Sequence, residues 1–138
     1  MTVIDTNVFL YAVLKDSEVN KEARNLLASL ERWVVPSIVL YELYWFLKKR
    51  EYSVEDINGV ISSILSSPRT KVIGDDGKYT KEALKLTKNP KRFNDMVILA
   101  TAQDFGRLAT YDKKLRKEAE KLGITPYPKP SHRPPELF

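Results

Sequence analysis

The sequence of 138 residues contains no cysteine and only one histidine, His132. The absence of cysteine excludes disulfide bonds, thiolate zinc sites and cysteine nucleophiles. A lone histidine in a proline-rich segment leaves almost no basis for a histidine-dependent mechanism. Long apolar runs are also missing, and the first residues lack the basic region of a signal peptide. We therefore expect a cytoplasmic protein with no membrane partner.

The composition is that of a globular domain. Hydrophobic residues make up 43% and charged residues 30% of the chain, which is long enough to bury a core. The formal net charge is +5. This excess agrees with a polyanionic partner such as nucleic acid, and equally with a lysine-rich surface that keeps the protein in solution.

Short apolar segments alternate with longer helical patterns along the chain. This alternation predicts a parallel sheet covered by helices, a three-layer α/β/α sandwich with short strands. We place strands at 3–4, 33–35, 71–73 and 108–110, with 124–125 as a candidate edge strand. The prolines from Pro126 onward disfavour regular structure. We therefore predict one domain over 1–126 and a proline-rich tail over 127–138.

Four acidic residues stand at the ends of these elements or in otherwise apolar surroundings. Asp5 ends the first strand, and Asp112 follows the fourth strand and begins a helix. Asp95 lies in the first turn of its helix, and Glu42 is the only charge in an apolar helix before Lys48. Because the carboxyl ends of parallel strands share one edge of a sheet, the four carboxylates can converge on one pocket.

A cluster of four carboxylates needs a cation. Like charges in close proximity repel and raise one another's pKa values, and a divalent ion relieves that repulsion. A set of oxygen ligands without histidine or cysteine favours Mg²⁺ or Mn²⁺ over zinc. Such ions can activate a water and steady a leaving oxygen in phosphate chemistry. Asn7 and Thr110, each two residues from an aspartate, can orient ligands or bind a phosphate.

Each acid also has a simpler interpretation. Taken alone, Asp5 and Asp112 are more often helix N-caps than ligands, and Asp95 suits a helix dipole whatever its function. Glu42 is harder to explain in this way, because a charge surrounded by apolar residues is rarely buried without a partner. The four together favour a metal site.

Four blocks of the sequence resemble, in order and spacing, those of a PIN domain. They are Val-Ile-Asp-Thr-Asn-Val at 3–8, the glutamate at 42 after Pro-Ser at 36–37, Asn-Asp-Met-Val-Ile-Leu-Ala-Thr-Ala at 94–102, and Thr-Tyr-Asp at 110–112. The resemblance covers about 2–126. The chain departs from it at Leu115, where the family often has phenylalanine, and in its long proline-rich tail.

The resemblance implies a metal-dependent endoribonuclease that is most similar to the VapC toxins of toxin–antitoxin pairs. It implies an RNA substrate, a homodimer and an antitoxin partner whose tail enters the active-site groove. It also implies metal ligands, Mg²⁺ or Mn²⁺ being the ion, at Asp5, Glu42, Asp95 and Asp112, with support from Asn7 and Thr110.

Basic residues lie near these acids in the sequence. For Lys91, Arg92 and Lys113 we favour contacts with RNA phosphates, a salt-sensitive interaction that does not depend on sequence. For Lys117 and Lys121 we favour a solvated helix face.

Aromatic residues surround Glu42 in its helix. Tyr41, Tyr44, Trp45 and Phe46 could stack on unpaired bases. At helical spacing, such residues belong more often to the core or to a subunit interface. We predict a core position for most of them, with a dimer contact as the second interpretation.

Three alternative functions remain open from the sequence. The first is a nuclease of the same fold that processes RNA without an antitoxin. The second is a non-catalytic RNA-binding or scaffold module, which would have no need to retain four repelling acids. The third is a phosphotransferase or receiver-like protein with Asp5 as nucleophile, which leaves Glu42 unexplained.

Overall fold

The computed structural model describes residues 1–129, which fold into five strands, seven α-helices and one short 3₁₀ helix. In chain order the elements are β1 (Thr2–Ile4), α1 (Thr6–Val13), α2 (Asn20–Ser29), β2 (Trp33–Pro36), α3 (Ser37–Lys49), α4 (Val54–Ser66), β3 (Thr70–Ile73), α5 (Lys78–Leu86), the 3₁₀ helix (Pro90–Arg92), α6 (Phe93–Gln103), β4 (Arg107–Ala109), α7 (Lys113–Lys121) and β5 (Thr125–Tyr127).

All strands pair in parallel in one sheet, in the order β3-β2-β1-β4-β5. The chain proceeds outward from β1 to β3 and then places β4 on the other side of β1. The ends of β1 and β4 therefore lie side by side where the strand order changes direction, which is the usual ligand-binding position in open α/β sheets. The predicted α/β/α sandwich is confirmed.

The core consists of the strands and the helix faces that cover them. Val3, Ile4, Val34, Ile98 and Leu108 are completely shielded from solvent. Residues on both faces of β1 are buried, so this strand is a continuous apolar run rather than an alternating one, as is typical of parallel sheets. Among residues 1–129, none of the helices combines the length and apolarity needed to cross a bilayer.

The start of α3 differs from a simple capping arrangement at Ser37. Pro36, in an extended conformation, precedes the helix, and Ser37 is already its first residue. The Ser37 hydroxyl donates to the Ile73 carbonyl at 3.4 Å, which links the start of α3 to the end of β3. Ser37 is therefore the first residue of α3 and not its N-cap.

The prediction that the aromatic residues of α3 belong mostly to the core is wrong. Tyr41 is 71% and Trp45 51% exposed, and Tyr44 is also exposed. Only Phe46 packs partly against the core. A helix that is apolar nearly all round has no polar face to indicate which side meets solvent, and the sequence could not separate burial from a free apolar surface.

The last strand extends further than predicted. β5 includes Pro126 and Tyr127, and it pairs with β4 at the edge of the sheet. Thr125 donates its N–H to Gly106, and Tyr127 accepts from Thr110, so this ladder does not need the N–H that proline lacks. The rest of the predicted tail after Lys129, including His132, lies outside the described residues.

Candidate active site

Asp5 is the most deeply buried acid at the carboxyl end of the sheet. It follows β1 directly and is only 4% exposed. Its N–H donates to the Ala109 carbonyl of β4 at 2.9 Å, which fixes the turn that leaves the strand. Its Oδ1 accepts from the Thr6 N–H at 2.7 Å and caps α1. The cap interpretation therefore holds, but it occupies only one carboxylate oxygen.

Thr110 links the end of β4 to Asp5. Its hydroxyl donates to Asp5 Oδ2 at 2.7 Å and accepts from the Asp112 N–H at 3.0 Å. The Asn7 Oδ1 accepts from the Tyr111 N–H at 3.2 Å, and its Nδ2 lies 3.5 Å from the Thr110 hydroxyl. The two residues predicted to support the acids thus hold the loops after β1 and β4 together.

Glu42 is half-buried and bridges two other helices. Its Oε1 accepts from the Thr6 hydroxyl at 2.6 Å, and its Oε2 accepts from the Asn94 amide at 3.2 Å. Thr6 lies in the first turn of α1, and Asn94 lies in the first turn of α6. Glu42 is therefore oriented toward the helix that Asp5 caps and toward the helix that carries Asp95.

Asp95 and Asp112 complete the group from the start of their helices. Asp112 is the N-cap of α7, where its Oδ1 accepts from the Lys114 and Leu115 N–H groups at 2.9 and 3.1 Å. Asp95 lies in the first turn of α6, and its side chain is 31% exposed. Its Oδ2 lies 3.6 Å from Arg92 Nε.

The four acids form one electrostatic cluster. Burial raises the pKa of Asp5 to about 7, with further increases from the charges of Asp95 and Glu42 and opposing hydrogen bonds from Thr110 and Thr6. Burial also raises the pKa of Asp95 to about 6, where Arg92 opposes the shift while Asp112 and Glu42 add to it. The fold therefore holds negative charge here at an electrostatic cost.

The carboxylate oxygens suit a hard divalent cation, although their side chains do not form a closed cage around one. Within residues 1–129, no three acidic or histidine side chains lie close enough to enclose an ion by themselves. Mg²⁺ needs no such cage, because it is usually bound by one or two carboxylates and retains several waters. The buried carboxylate of Asp5, with its raised pKa, is the group that such an ion would relieve most.

The sequence matches the family model described as the PIN domain over residues 2–121. This match covers most of the chain. The chain belongs to the PIN domain family. No curated protein shows significant sequence similarity to it.

Solved structures of VapC-type proteins share the fold of this PIN domain. Mycobacterium tuberculosis VapC20, described as a sarcin-ricin loop cleaving toxin, is 17% identical with a TM-score of 0.73, covering 86% of this chain and 95% of its own. VapBC2 of Rickettsia felis, bound to a promoter DNA fragment, is 24% identical with a TM-score of 0.62 and coverages of 91% and 96%. A toxin–antitoxin complex from Klebsiella pneumoniae is 22% identical with a TM-score of 0.60 and coverages of 84% and 90%.

The basic residues predicted to bind phosphate lie in different environments in this PIN domain. Lys91 and Lys113 are exposed, and neither makes an ion pair with the acids in the described part of the chain. Arg92 is largely buried, and its Nη1 donates to both Glu118 carboxylate oxygens at 2.6 Å. Burial opposes the charge of Arg92, but its acidic neighbours raise its pKa overall.

A fourth basic residue near the acids, Arg116, has a structural role. Its side chain is buried, and it donates to the Thr110 carbonyl at 3.1 Å and to the Pro128 carbonyl at 2.6 Å. It therefore ties the loop after β4 to the end of β5.

Sequence reasoning missed three residues that orient the acids. Thr6 and Asn94 hold the two oxygens of Glu42, and Glu118 holds Arg92. Thr6 and Asn94 are each adjacent in the sequence to a predicted acid, and this proximity could have identified them as supporting residues. Glu118 had no such signal, because it lies 26 residues from its partner in the chain.

Proposed function

We propose that this PIN domain is a cytoplasmic, metal-dependent endoribonuclease and the toxin of a toxin–antitoxin pair. The observation that carries the proposal is the convergence of four coupled acids beside the ends of β1 and β4, with Asp5 almost fully buried. The fold shared with VapC20, which is described as a sarcin-ricin loop cleaving toxin, supports the same assignment.

The substrate of this reaction is a phosphodiester bond in single-stranded or looped RNA. Asp5, Glu42, Asp95 and Asp112 would hold Mg²⁺ or Mn²⁺, which when bound would supply the Lewis-acid charge for activating a water and offsetting the charge of the phosphate. Because the side chains around Asp5 contain no histidine in the described residues, none of them could serve as an imidazole base. A bound cation would therefore take the place of a general base in activating water at this position.

The acids have distinct proposed roles. Asp5, Asp95 and Asp112 bind the ion, directly or through waters. Glu42 binds an ion or orients the attacking water, and the hydrogen bonds from Thr6 and Asn94 fix its carboxylate in place.

Supporting residues keep this arrangement rigid. The Thr110 hydroxyl stabilises the ionised form of Asp5, because a hydrogen bond donated to a carboxylate lowers its pKa. Asn7 holds the neighbouring loop through the Tyr111 N–H. Lys91 and Lys113 are exposed and can contact RNA phosphates. The positive charge of Arg92, 3.6 Å from Asp95, stabilises the ionised form of that acid.

We also propose a homodimer and an antitoxin partner. Two of the structural neighbours are toxin–antitoxin assemblies, which supports a protein partner. The exposed Tyr41 and Trp45 on α3 offer an apolar surface of the kind that subunit interfaces cover. An adjacent small open reading frame that encodes a DNA-binding protein would support the antitoxin; its absence would favour an RNA-processing nuclease.

Cleavage of a mixed pool of structured RNAs tests the activity. The purified protein is incubated with the pool in Mg²⁺, in Mn²⁺ and in EDTA, beside Asp95→Asn prepared identically. We expect cleavage that requires the metal and is lost in the variant while circular dichroism shows an intact fold. Cleavage by Asp95→Asn at the wild-type rate would contradict the proposed role of this acid.

A further inference from the structure

A cleft beside the acids is lined by positive charges, of which the proposed mechanism uses only Arg92. It lies between α5, the 3₁₀ helix, α6 and α7, and has a volume of about 320 Å³. Its cations come from the link after α5, the 3₁₀ helix and α7: Lys88, Arg92, Lys114 and Lys121. One acid, Glu118, also lines it. We call it the basic cleft.

The floor of the basic cleft is apolar. Met96 and Leu99 of α6 and Leu122 at the end of α7 line it, and Leu122 remains partly exposed. Apolar walls with a few converging polar groups are typical of small-ligand sites, and the volume is near the lower end of their range. The cleft therefore suits a ligand of nucleotide size that combines negative charge with an apolar part.

Three charges of α7 lie along the side of the helix that faces the cleft. Lys114, Glu118 and Lys121 are separated by four and three residues, so they share a helix face, and all three line the cleft. Lys121 is exposed, in agreement with the solvated face that the sequence predicts, and it also lines this cleft. Two cations of one helix thus point to the same concave surface.

Arg92 connects the basic cleft to the acids. Its Nε lies 3.6 Å from Asp95 Oδ2, and its Nη1 donates to both oxygens of Glu118. Its Nη2 is buried and has no hydrogen-bond partner in residues 1–129. Because Nη2 is buried, a phosphate would reach this guanidinium by displacing the Glu118 carboxylate that lines the same cleft, and Arg92 would then donate to the phosphate oxygens.

We propose that the basic cleft binds the RNA strand beside the cleaved bond. One backbone phosphate lies among Lys88, Lys114 and Lys121, and the attached nucleoside lies over Met96 and Leu99. Glu118 occupies Arg92 when RNA is absent and competes with the phosphate for it. This inference rests on the proposed function, because RNA is favoured over an acidic peptide by the direct connection through Arg92 to Asp95.

RNA binding in EDTA tests the cleft without catalysis. The probe is a fluorescein-labelled single-stranded 12-mer, and anisotropy is measured over a range of salt concentrations. The variant Lys114→Gln/Lys121→Gln is compared with Lys21→Gln/Arg24→Gln, which removes two exposed positive charges from α2, a helix outside the cleft. We expect on the order of tenfold weaker binding at low salt for the α7 variant alone.

The salt dependence of RNA binding distinguishes specific phosphate contacts in the cleft from a general attraction between opposite charges. Each lost contact with a single-stranded phosphate lowers the slope of log K against log salt by roughly 0.7. We expect this decrease for the α7 variant and not for the α2 variant. Equal losses in both variants would overturn the proposal, because they would indicate only non-specific attraction.

Glu118→Gln tests the competition at Arg92. Removing the negative charge frees Arg92 for phosphate, and we expect binding of the same 12-mer to become several-fold tighter. A thermal melt verifies that the variant is folded, and Glu120→Gln, an exposed neighbour on α7, is the control. Weaker binding by folded Glu118→Gln, or no difference from the control, would overturn the proposed competition.

Two further readouts distinguish this inference from the proposed function. If the wild type cleaves RNA, the α7 variant should have a raised KM and a nearly unchanged kcat. If the wild type never cleaves, weaker EDTA binding of the α7 variant still supports the cleft, while the nuclease proposal fails. If poly-glutamate binding depends on Lys114 and Lys121 but RNA binding does not, the cleft is a peptide site and the inference is wrong.

Discussion

The Thr110 hydroxyl donates to Asp5 Oδ2 at 2.7 Å and thereby connects the ends of two neighbouring parallel strands. The residues are 105 positions apart in the chain, so the contact exists only in the folded sheet. Because a hydrogen bond to a carboxylate favours its ionised form, Thr110 opposes the strong effect of burial on the pKa of Asp5. This contact partly offsets the effect of burial on the deepest acid in the candidate site.

Replacing Thr110 by valine should move the pH dependence of cleavage. The isosteric side chain cannot donate to Asp5, so the pKa of Asp5 rises further and a higher pH is needed to ionise it. We expect the acid limb of the kcat/KM profile to shift upward by roughly one pH unit, since hydrogen bonds to charged groups contribute about 1.5–3 kcal/mol.

Thr110→Ser is the matched control for this prediction. It retains the hydroxyl and loses only a methyl group, so its acid limb should stay near that of the wild type. A valine variant with an unshifted profile but reduced rate at every pH would contradict the proposed control of the Asp5 charge.

The metal-free protein should lose stability as the pH rises from about 4 to about 7. Folding raises the pKa of Asp5 from 3.8 to about 7, so the folded state binds more protons than the unfolded state between those values. The stabilisation is complete below the unfolded pKa and is lost as the pH passes the folded pKa. For three pKa units the change is on the order of 4 kcal/mol.

Urea denaturation in EDTA at several pH values measures this loss. Asp5→Asn carries no titrating group at this position, and its free energy of unfolding should depend less on pH over the same range. An equally steep dependence in the variant would show that other groups are responsible.

Mn²⁺ should stabilise the protein at pH 8 and much less at pH 5. A ligand that binds only the folded state adds about 2.7 kcal/mol at a concentration of 100 times its Kd. At pH 5, Asp5 and Asp95 are mostly protonated, because their pKa values are about 7 and about 6. Thermal melts with and without Mn²⁺ test this, with Asp16→Asn, an exposed acid, as control. A shift at pH 8 that persists in Asp5→Asn would contradict the predicted ligand.

The exposed aromatic face of α3 should hold two protomers together. Tyr41 and Trp45 are separated by four residues and share one side of the helix. Light scattering should find a dimer for the wild type and a monomer for Tyr41→Ser/Trp45→Ser. Val54→Ser/Leu65→Ser removes two exposed apolar side chains of α4 and should leave the dimer intact. A wild type that is monomeric at tens of micromolar would contradict the proposed interface.

Much of the fold could be predicted because local patterns and sheet topology agree. Short apolar strands followed by helices specify a parallel sheet, and each predicted strand is found within two residues of its expected bounds. The contact of Asp5 with Thr110 depends on the adjacency of β1 and β4, and the sequence pattern alone did not establish that these strands are neighbours.

The missing parts of the site depend on contacts between distant residues. The pairing of Arg92 with Glu118 joins the start of α6 to α7, and no local pattern indicates it. The exposure of Tyr41 and Trp45 was missed because the composition of α3 is the same whether a partner or the core covers it. Helical periodicity reports that a face is apolar, but not what lies against it.

The most direct test of the four-acid site is the rate of metal-dependent cleavage of one defined RNA by Asp5→Asn, Glu42→Gln, Asp95→Asn and Asp112→Asn. The controls are Asp16→Asn and Glu31→Gln, which neutralise exposed acids elsewhere. We predict that each of the four site variants is folded and has a kcat/KM at least about 100-fold below that of the wild type. Both controls should cleave at the wild-type rate. Wild-type cleavage that continues in EDTA, or a site variant that cleaves as fast as the controls, would contradict the account.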